Sequence, residues 1–334
     1  MTNKTGSLFN LHGKIEIEII GPKRYQEYFA NEYARISTPE ERAPTSRVTL
    51  EIVPRIEGDH AREVHYKELF RFRYAVVGLG TSSPRLLLEK HWLDHFYVTA
   101  VGAFIQGQLL EPIVYQKLLE TGVLFMHAAG VSQGRNAFVF PAQGGTGKTT
   151  LSLALMRHGY DLMGDDLLLV DSTDLTVFPY ARPLHLFTYN LKTLSVPLKL
   201  RAAIALKDVI RTVIAITTGK KFLISTRAHA EEILSTNRSQ SAKLKKAVFL
   251  KRDGSSGVID ASTEEGRERI VDEIVASADL NLSLEEHFGM SEVTKRLERD
   301  VISAIFEKVG SLTYVNARAM QTDQDRLAFA REEL

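Results

Sequence analysis

The chain of 334 residues contains no cysteine. That excludes disulfides, thiolate zinc sites and a cysteine nucleophile. Net charge is nearly absent as well: 42 basic side chains against 41 acidic ones leave +1, so no bulk field favours nucleic acid or an anionic membrane as partner. Long apolar runs are missing. The greasiest window, Val98 to Leu119, is interrupted by Gln106, Gln108, Glu111 and Pro112, which a spanning helix tolerates poorly. The start, Met1-Thr2-Asn3-Lys4-Thr5-Gly6-Ser7, lacks the apolar core of a secretory signal. Repeats and low-complexity tracts are absent. A soluble, cytoplasmic protein is the expectation, and 44% hydrophobic with 25% charged residues is the composition of an ordinary globular chain.

This length suggests about two domains. Residues 1–100 read as a strand-rich α+β N-terminal domain without a chemical motif. Lys14 to Ile20, Val48 to Val53 and Phe70 to Val76 each alternate apolar and polar side chains, the pattern of half-exposed strands. A short helix fits residues 24–36. Residues 86–119 read as mostly helical, with Leu109, Leu110, Ile113, Val114 and Leu118 at helical spacing, Pro112 starting or kinking the run and Gly122 ending it. Residues 101–334 are expected to form a second, α/β domain.

The stretch that organises this second domain is Pro141-Ala142-Gln143-Gly144-Gly145-Thr146-Gly147-Lys148-Thr149-Thr150. An apolar run, Ala137-Phe138-Val139-Phe140, precedes it, and Leu151, Leu153, Ala154 and Leu155 follow as far as Gly159, a C-cap candidate. Strand, glycine-rich loop, helix is the order a phosphate-binding loop requires. Gly144, Gly145 and Gly147 can take positive φ, so that backbone N–H groups point inward as a nest for phosphate oxygens. Lys148 would reach the β- and γ-phosphates, the Thr149 hydroxyl would ligate Mg²⁺, and the helix N-terminus adds its unpaired amides. Gln143, Thr146 and Thr150 complete the candidate nucleotide cradle. Ala142 replaces the first glycine of the motif.

Two flanking segments add chemistry. Val123 to Val131 and Ala137 to Phe140, with a turn over residues 132–136, read as a hairpin. Pairing Val131 with Ala137 sets His127 opposite Pro141, at the mouth of the loop. Downstream, the apolar strand Tyr160 to Val170 carries Asp165 and Asp166 near its start. Adjacent strand residues face opposite sides, so the two carboxylates are expected to take different roles. Arg182 follows at the same edge, as a phosphate contact or a surface ion pair. Beyond it, a helix is expected over residues 199–216, a strand over 222–224, a polar loop over 225–246 and a core strand over Ala247 to Leu250. Lys251 and Arg252 read as strand-end solvation. The rest, from Glu264, reads as helical with one late strand, Leu312 to Val315.

His127, the loop with Lys148, and the Asp165-Asp166 pair, in that order and at those separations, resemble the catalytic domain of the HPr kinase/phosphorylase family, which is related to phosphoenolpyruvate carboxykinases. The resemblance covers residues 127–170, with weaker similarity of pattern from Leu110 onward. It implies a P-loop kinase domain of that type. It also implies Asp166 as the general base toward an acceptor hydroxyl, His127 beside the γ-phosphoryl group and the base, Lys148 neutralising developing charge, and Thr149 holding Mg²⁺. Asp165 is added as a metal partner from its neighbouring position. The family's carboxylate and Arg-Gly-rich segment beyond the Asp pair has no counterpart, because Arg182 to Leu200 contains no Asp, Glu or Gly. This departure points away from HPr as acceptor and away from the reverse reaction. The expected activity is therefore ATP- and Mg²⁺-dependent transfer of the γ-phosphoryl group to a hydroxyl of a peptide, a protein or a small metabolite. A nucleotide-binding regulatory switch or ATPase is the alternative. A carboxykinase is disfavoured because no second Lys and His metal-ligand set is visible. Neither nucleic acid nor membrane is an expected partner, and a homo-oligomer is compatible with all of this.

Overall fold

The computed structural model describes residues 6–33, 36–37, 44, 46–58, 60–66, 70–95, 98–180, 182–186, 198, 201–202, 204–206, 226–229, 241–252, 254, 256–277, 288, 292–320 and 322–334. The protein is mixed α/β, with two mixed sheets, and no described helix is long and apolar enough to cross a membrane. The chain divides into two compact units that interleave in sequence. One takes residues 1–126, 169–175 and 263–308; the other takes 127–168, 176–262 and 309–334. A single cut at residue 100 does not describe this division.

In the first unit, alternation sets the sheet. Ile15, Ile17 and Ile19 of β2 (Ile15–Ile20) are fully buried, while Glu16 and Glu18 between them stay partly exposed. β1 (Ser7–Leu11) joins antiparallel to β2, and β3 (Arg47–Val53) lies parallel to it. β4 (Arg62–Tyr66), β5 (Phe70–Val77) and β6 (Arg85–Glu89) complete the order β1-β2-β3-β6-β5-β4. Residues 86–89, expected in a helix, are thus a strand parallel to β3. The three successive leucines hid the alternation: Leu86 and Leu88 are buried, Leu87 only half so.

Helix α1 (Lys23–Tyr33) buries Tyr25, Tyr28, Phe29, Glu32 and Tyr33, one face at helical spacing. The helical stretch that follows β6 is α2 (Val98–Ile105), a π-helical turn (Gln106–Leu110) and α3 (Glu111–Leu119), with Pro112 in the first turn of α3. The buried Gln106 side chain accepts from the Tyr28 hydroxyl at 2.9 Å and donates to Glu111 at 3.0 Å, so the polar groups that interrupt this apolar window satisfy one another. β7 (Val123–Met126) and β11 (Leu168–Asp171) pair beside these elements. Asp171 accepts from Lys14 at 2.7 Å. Helices α5 (Glu264–Ala276) and α6 (Glu292–Val309) belong to the same unit, and the buried Glu298 of α6 accepts from the buried Tyr115 hydroxyl.

The second unit begins with a hairpin of β8 (Ala128–Gln133) and β9 (Asn136–Pro141). Its loop is two residues long, with Gly134 at φ 60°, the position where a tight hairpin turn of type II′ places glycine. Ala128 therefore lies opposite Pro141, one step from the expected register. Helix α4 (Lys148–Met156) follows β9. It ends with Gly159 at φ 87°, Gly159 N–H bonding Met156 O and Tyr160 N–H bonding Leu155 O, the paired bonds of a Schellman terminus. β10 (Asp161–Gly164) runs antiparallel to β8. The expected single strand over Tyr160 to Val170 is broken: β10 ends at Gly164, the two aspartates occupy the bend, and β11 begins at Leu168. A Cβ at Gly164 would sit 2.6 Å from the Leu167 carbonyl oxygen, so that bend requires glycine.

β12 (Thr176–Phe178) pairs antiparallel with the long β15 (Ala242–Lys251), which lies parallel to β9 and to β17 (Ser311–Asn316). β15 starts at Ala242, inside the segment expected to be a polar loop. β13 (Leu184–Leu186) and β14 (Thr226–Ala228) form a separate pair, and β16 (Gly257–Asp260) flanks β17. The helix expected over 199–216 and the strand over 222–224 lie almost wholly outside the described residues. Phe138 and Phe140 of β9, Val248 and Leu250 of β15 and Val315 of β17 pack with Leu151 and Leu155 of α4 and with Phe329 and Ala330 of α7 (Asp323–Glu333). Each fully buried Phe or Leu there is worth ~1.5–3 kcal/mol, enough to fix α4 against the strand that feeds it.

Gly102 of α2 sits against the Tyr28 ring, where an added Cβ would come within 2.7 Å of Cδ1. Gly102→Ala is therefore expected to destabilise the protein by ~1–3 kcal/mol through overpacking, read as a lower urea midpoint. A raised midpoint, the result helix propensity alone would give, would show that the ring yields.

Candidate functional site

Five strand ends meet along one edge of the second unit. β9 ends in the glycine-rich loop; β15 and β17, parallel to it, end at Lys251 and Asn316; and β10, antiparallel to β8, ends at Gly164 before the aspartates. His127 stands at the entry to β8, at the same edge. Hydrogen-bonding direction alone thus gathers residues distant in sequence.

Within the loop, Gly145 (φ 73°) and Gly147 (φ 102°) occupy the left-handed region, Gly147 as the N-cap of α4. Gly144 does not, although positive φ was expected of it. The Thr146 hydroxyl donates to Gln143 O at 2.9 Å and closes the turn, and Gln143, Gly144 and Gly145 are exposed. Ala142, in the place of the motif's first glycine, is fully buried, bridges Leu250 of β15 and has no positive φ. The backbone there continues the strand, so a glycine is not needed.

The Lys148 ammonium turns back to donate to Ala142 O at 2.7 Å and lies 3.3 Å from His127 Nε2. Lys148 and His127 are each only 8% exposed. The same imidazole nitrogen stands 3.2 Å from Asp166 Oδ1. One nitrogen cannot serve both neighbours: protonated it donates to Asp166, and unprotonated it accepts from Lys148. Arg182 completes the cluster, donating to Asp166 Oδ2 at 3.1 Å while its guanidinium lies 5.6 Å from the Tyr180 ring centroid. It is an ion-pair partner of the candidate base.

The adjacent carboxylates point to different partners, although they lie in the bend between β10 and β11 and not on one strand, so alternation is not the cause. Asp165 Oδ2 accepts from the Thr149 hydroxyl at 2.9 Å, whereas Asp165 Oδ1 is sealed from solvent with no hydrogen-bond partner. Desolvation pushes the Asp165 carboxyl up to about 6; the Thr149 hydrogen bond opposes this, the Asp166 charge adds to it, and the charges of Lys148 and Arg182 work against it. At Asp166 desolvation also works against ionisation. It is outweighed by the hydrogen bond from His127, then by the charge of Arg182 and those of His127 and Lys148, which together hold the carboxyl well below the usual range. The Asp166 side chain keeps 59% of its surface accessible, so it stays open to an incoming group.

An orphaned buried carboxylate oxygen beside a hydroxyl, at the start of a helix that follows a glycine-rich loop, fits a hard divalent cation. Mg²⁺ takes one or two protein oxygens and completes its shell with water and phosphate. No cluster of three or more His, Asp or Glu able to hold a metal by themselves occurs among the described residues.

A pocket of about 480 Å³ adjoins the loop, lined by Gly145, Gly147, Thr150 and Leu151 on one side and by Leu250, Met320 and three arginines on the other. Arg252, Arg318 and Arg326 are the functional candidates the sequence did not reveal. Two of them follow β15 and β17, whose parallel pairing with β9 could not be read from composition. No protein-family model matches the chain, and no curated protein matches it in sequence.

Asp165 supplies a test that does not depend on activity. Its carboxyl binds a proton more tightly folded, at about 6, than unfolded, near 3.8. The cost to stability is therefore absent below pH ~4, grows between pH ~4 and ~6, and is complete above pH ~7, on the order of 3 kcal/mol. Asp165→Asn is expected to raise the thermal midpoint of the ligand-free protein at pH 8 and to leave it unchanged at pH 4. No gain at pH 8 would mean that Oδ1 is not an unpaired buried acceptor.

Proposed function

We propose that the protein is a Mg²⁺-dependent kinase that transfers the γ-phosphoryl group of a nucleoside triphosphate to a hydroxyl on a peptide, a protein or a small metabolite. The observation that carries this reading is the placement of His127 Nε2 3.3 Å from the Lys148 ammonium and 3.2 Å from Asp166 Oδ1 at the mouth of the glycine-rich loop. The resemblance of these residues to the HPr kinase/phosphorylase family supports the same chemistry and a P-loop kinase fold of that type. The donor and cation are abundant in the cytoplasm, which is where we place the activity.

Phosphoryl transfer asks a protein for positioning and charge neutralisation more than for covalent help. In this reading the exposed amides of the loop and the N-terminus of α4 hold the phosphates. The Lys148 ammonium leaves the Ala142 carbonyl for the phosphoryl oxygens, where negative charge spreads in the transition state. Thr149 and Asp165 would hold Mg²⁺, which would supply neutralisation of the phosphate charge. Asp166, ionised throughout the physiological range, accepts a hydrogen bond from the acceptor hydroxyl and aims its lone pair at phosphorus. A carboxylate this acidic takes the proton late, once the new P–O bond has made the hydroxyl strongly acidic. His127 keeps Asp166 in place and adds a donor beside the transferring group, and Arg182 holds the second carboxylate oxygen. The chemistry end of the nucleotide thus lies at His127 and Asp166, and the nucleoside end toward Thr150.

Two variants test the roles. Asp166→Asn is expected to lower transfer by about 100-fold or more, the usual worth of a positioned base, with nucleotide affinity nearly kept. Lys148→Ala is expected to weaken both. The acceptor is sought by incubating the protein with cell extract and γ-labelled ATP or GTP and finding one new phosphorylated species by mass spectrometry. Full transfer by Asp166→Asn would remove Asp166 from the chemistry, and free phosphate as the sole product would favour the switch or ATPase reading.

A further inference from the structure

The reading above leaves the nucleoside end of the donor unspecified, and the pocket beside the loop bears on it. At about 480 Å³ it has the volume of a small-ligand site. It is lined by Thr150 and Leu151 but by neither Lys148 nor Thr149, so it adjoins the loop without including the catalytic cluster. Its floor is apolar, from Leu151, Leu250 and Met320, all at most 6% exposed. Its polar side is dominated by the guanidinium groups of Arg252, Arg318 and Arg326, with Thr146 and Thr150 beside them, and no Asp, Glu, Asn or Gln lines it.

A guanidinium only donates hydrogen bonds. Three of the lining carbonyls already accept a bond: Gly145 O takes Arg252 at 3.1 Å, Gly147 O takes Leu151 N–H at 2.9 Å, and Ala317 O takes Met320 N–H at 3.2 Å. A flat ligand with an apolar face and an acceptor-only edge matches these walls better than one that presents an amino group to the arginines. Guanine offers O6 and N7 on one edge, the pair a guanidinium binds bidentately, whereas adenine places its N6 amino group at the same spot. We propose, resting on the kinase reading, that this pocket takes the base of the donor nucleotide and selects guanine over adenine through its arginines.

Calorimetric titration of the full chain with Mg²⁺ and GDP, ADP, IDP or tripolyphosphate tests this. IDP keeps the O6 and N7 edge without the 2-amino group. GDP and IDP are expected to bind about 10-fold more tightly than ADP, the discrimination one good bidentate contact gives, and GDP more tightly than tripolyphosphate. Arg318→Met and Arg326→Met, made separately, are expected to bring the GDP-to-ADP ratio toward one in at least one case. ADP binding as tightly as GDP, or tripolyphosphate as tightly as GDP, overturns the guanine assignment and leaves the kinase reading standing. Binding of none of the nucleotides overturns both.

Discussion

The second unit is governed by the direction in which its strands are hydrogen-bonded. β9 is parallel to β15, β15 is parallel to β17, and β8 runs opposite to β9 between it and β10. Once those pairings form, the exits of four strands and the entry of a fifth share one edge, and every side chain of the candidate site is on hand. The packing of α4 beneath Phe140, Val248 and Leu250 then fixes where the loop turns upward. Apart from the bend at Gly164, the strands reach the site by running straight to their ends, the economy of placing chemistry at the ends of parallel strands.

Charge arranges what topology has collected. Two neighbouring carboxylates in a low-dielectric site would repel; here the chain separates them by pointing one at a hydroxyl and the other at an imidazole and a guanidinium. Their proton affinities move in opposite directions as a result, and such divergence is a common mark of a working site. The ligand-free arrangement is self-compensating: Lys148 spends its donors on Ala142 O and lies beside His127, so its charge is not stranded.

How much of this was legible in the sequence varies by element, for physical reasons. The strand-loop-helix unit was plain because glycine spacing and apolar runs are local signals. The hairpin was read one residue off, since a two-residue turn was taken for a longer one, and a one-residue slip exchanges the faces of a strand. His127 still arrives at the loop because it sits just beyond the last paired residue, next to the point opposite Ala142. The strand at residues 85–89 was masked by a run of leucines that satisfies helix and strand alike. The break at Gly164 was written in the glycine itself but passed unread. The three arginines were beyond reach, as nothing local says that residues after two separate strands and one on the last helix become neighbours.

The interleaving of the two units has a consequence for how the protein is made. Residues 263–308 return to the unit that begins at the N-terminus, and residues 309–334 close the other. A ribosome must therefore deliver almost the whole polypeptide before either body has all its parts, and nascent apolar strands wait for partners meanwhile. For the same reason neither body can be excised as one continuous fragment. A truncation that trims only the last helix would strip Phe329 and Ala330 from the packing beneath the glycine-rich loop, damaging a region far from the cut in sequence.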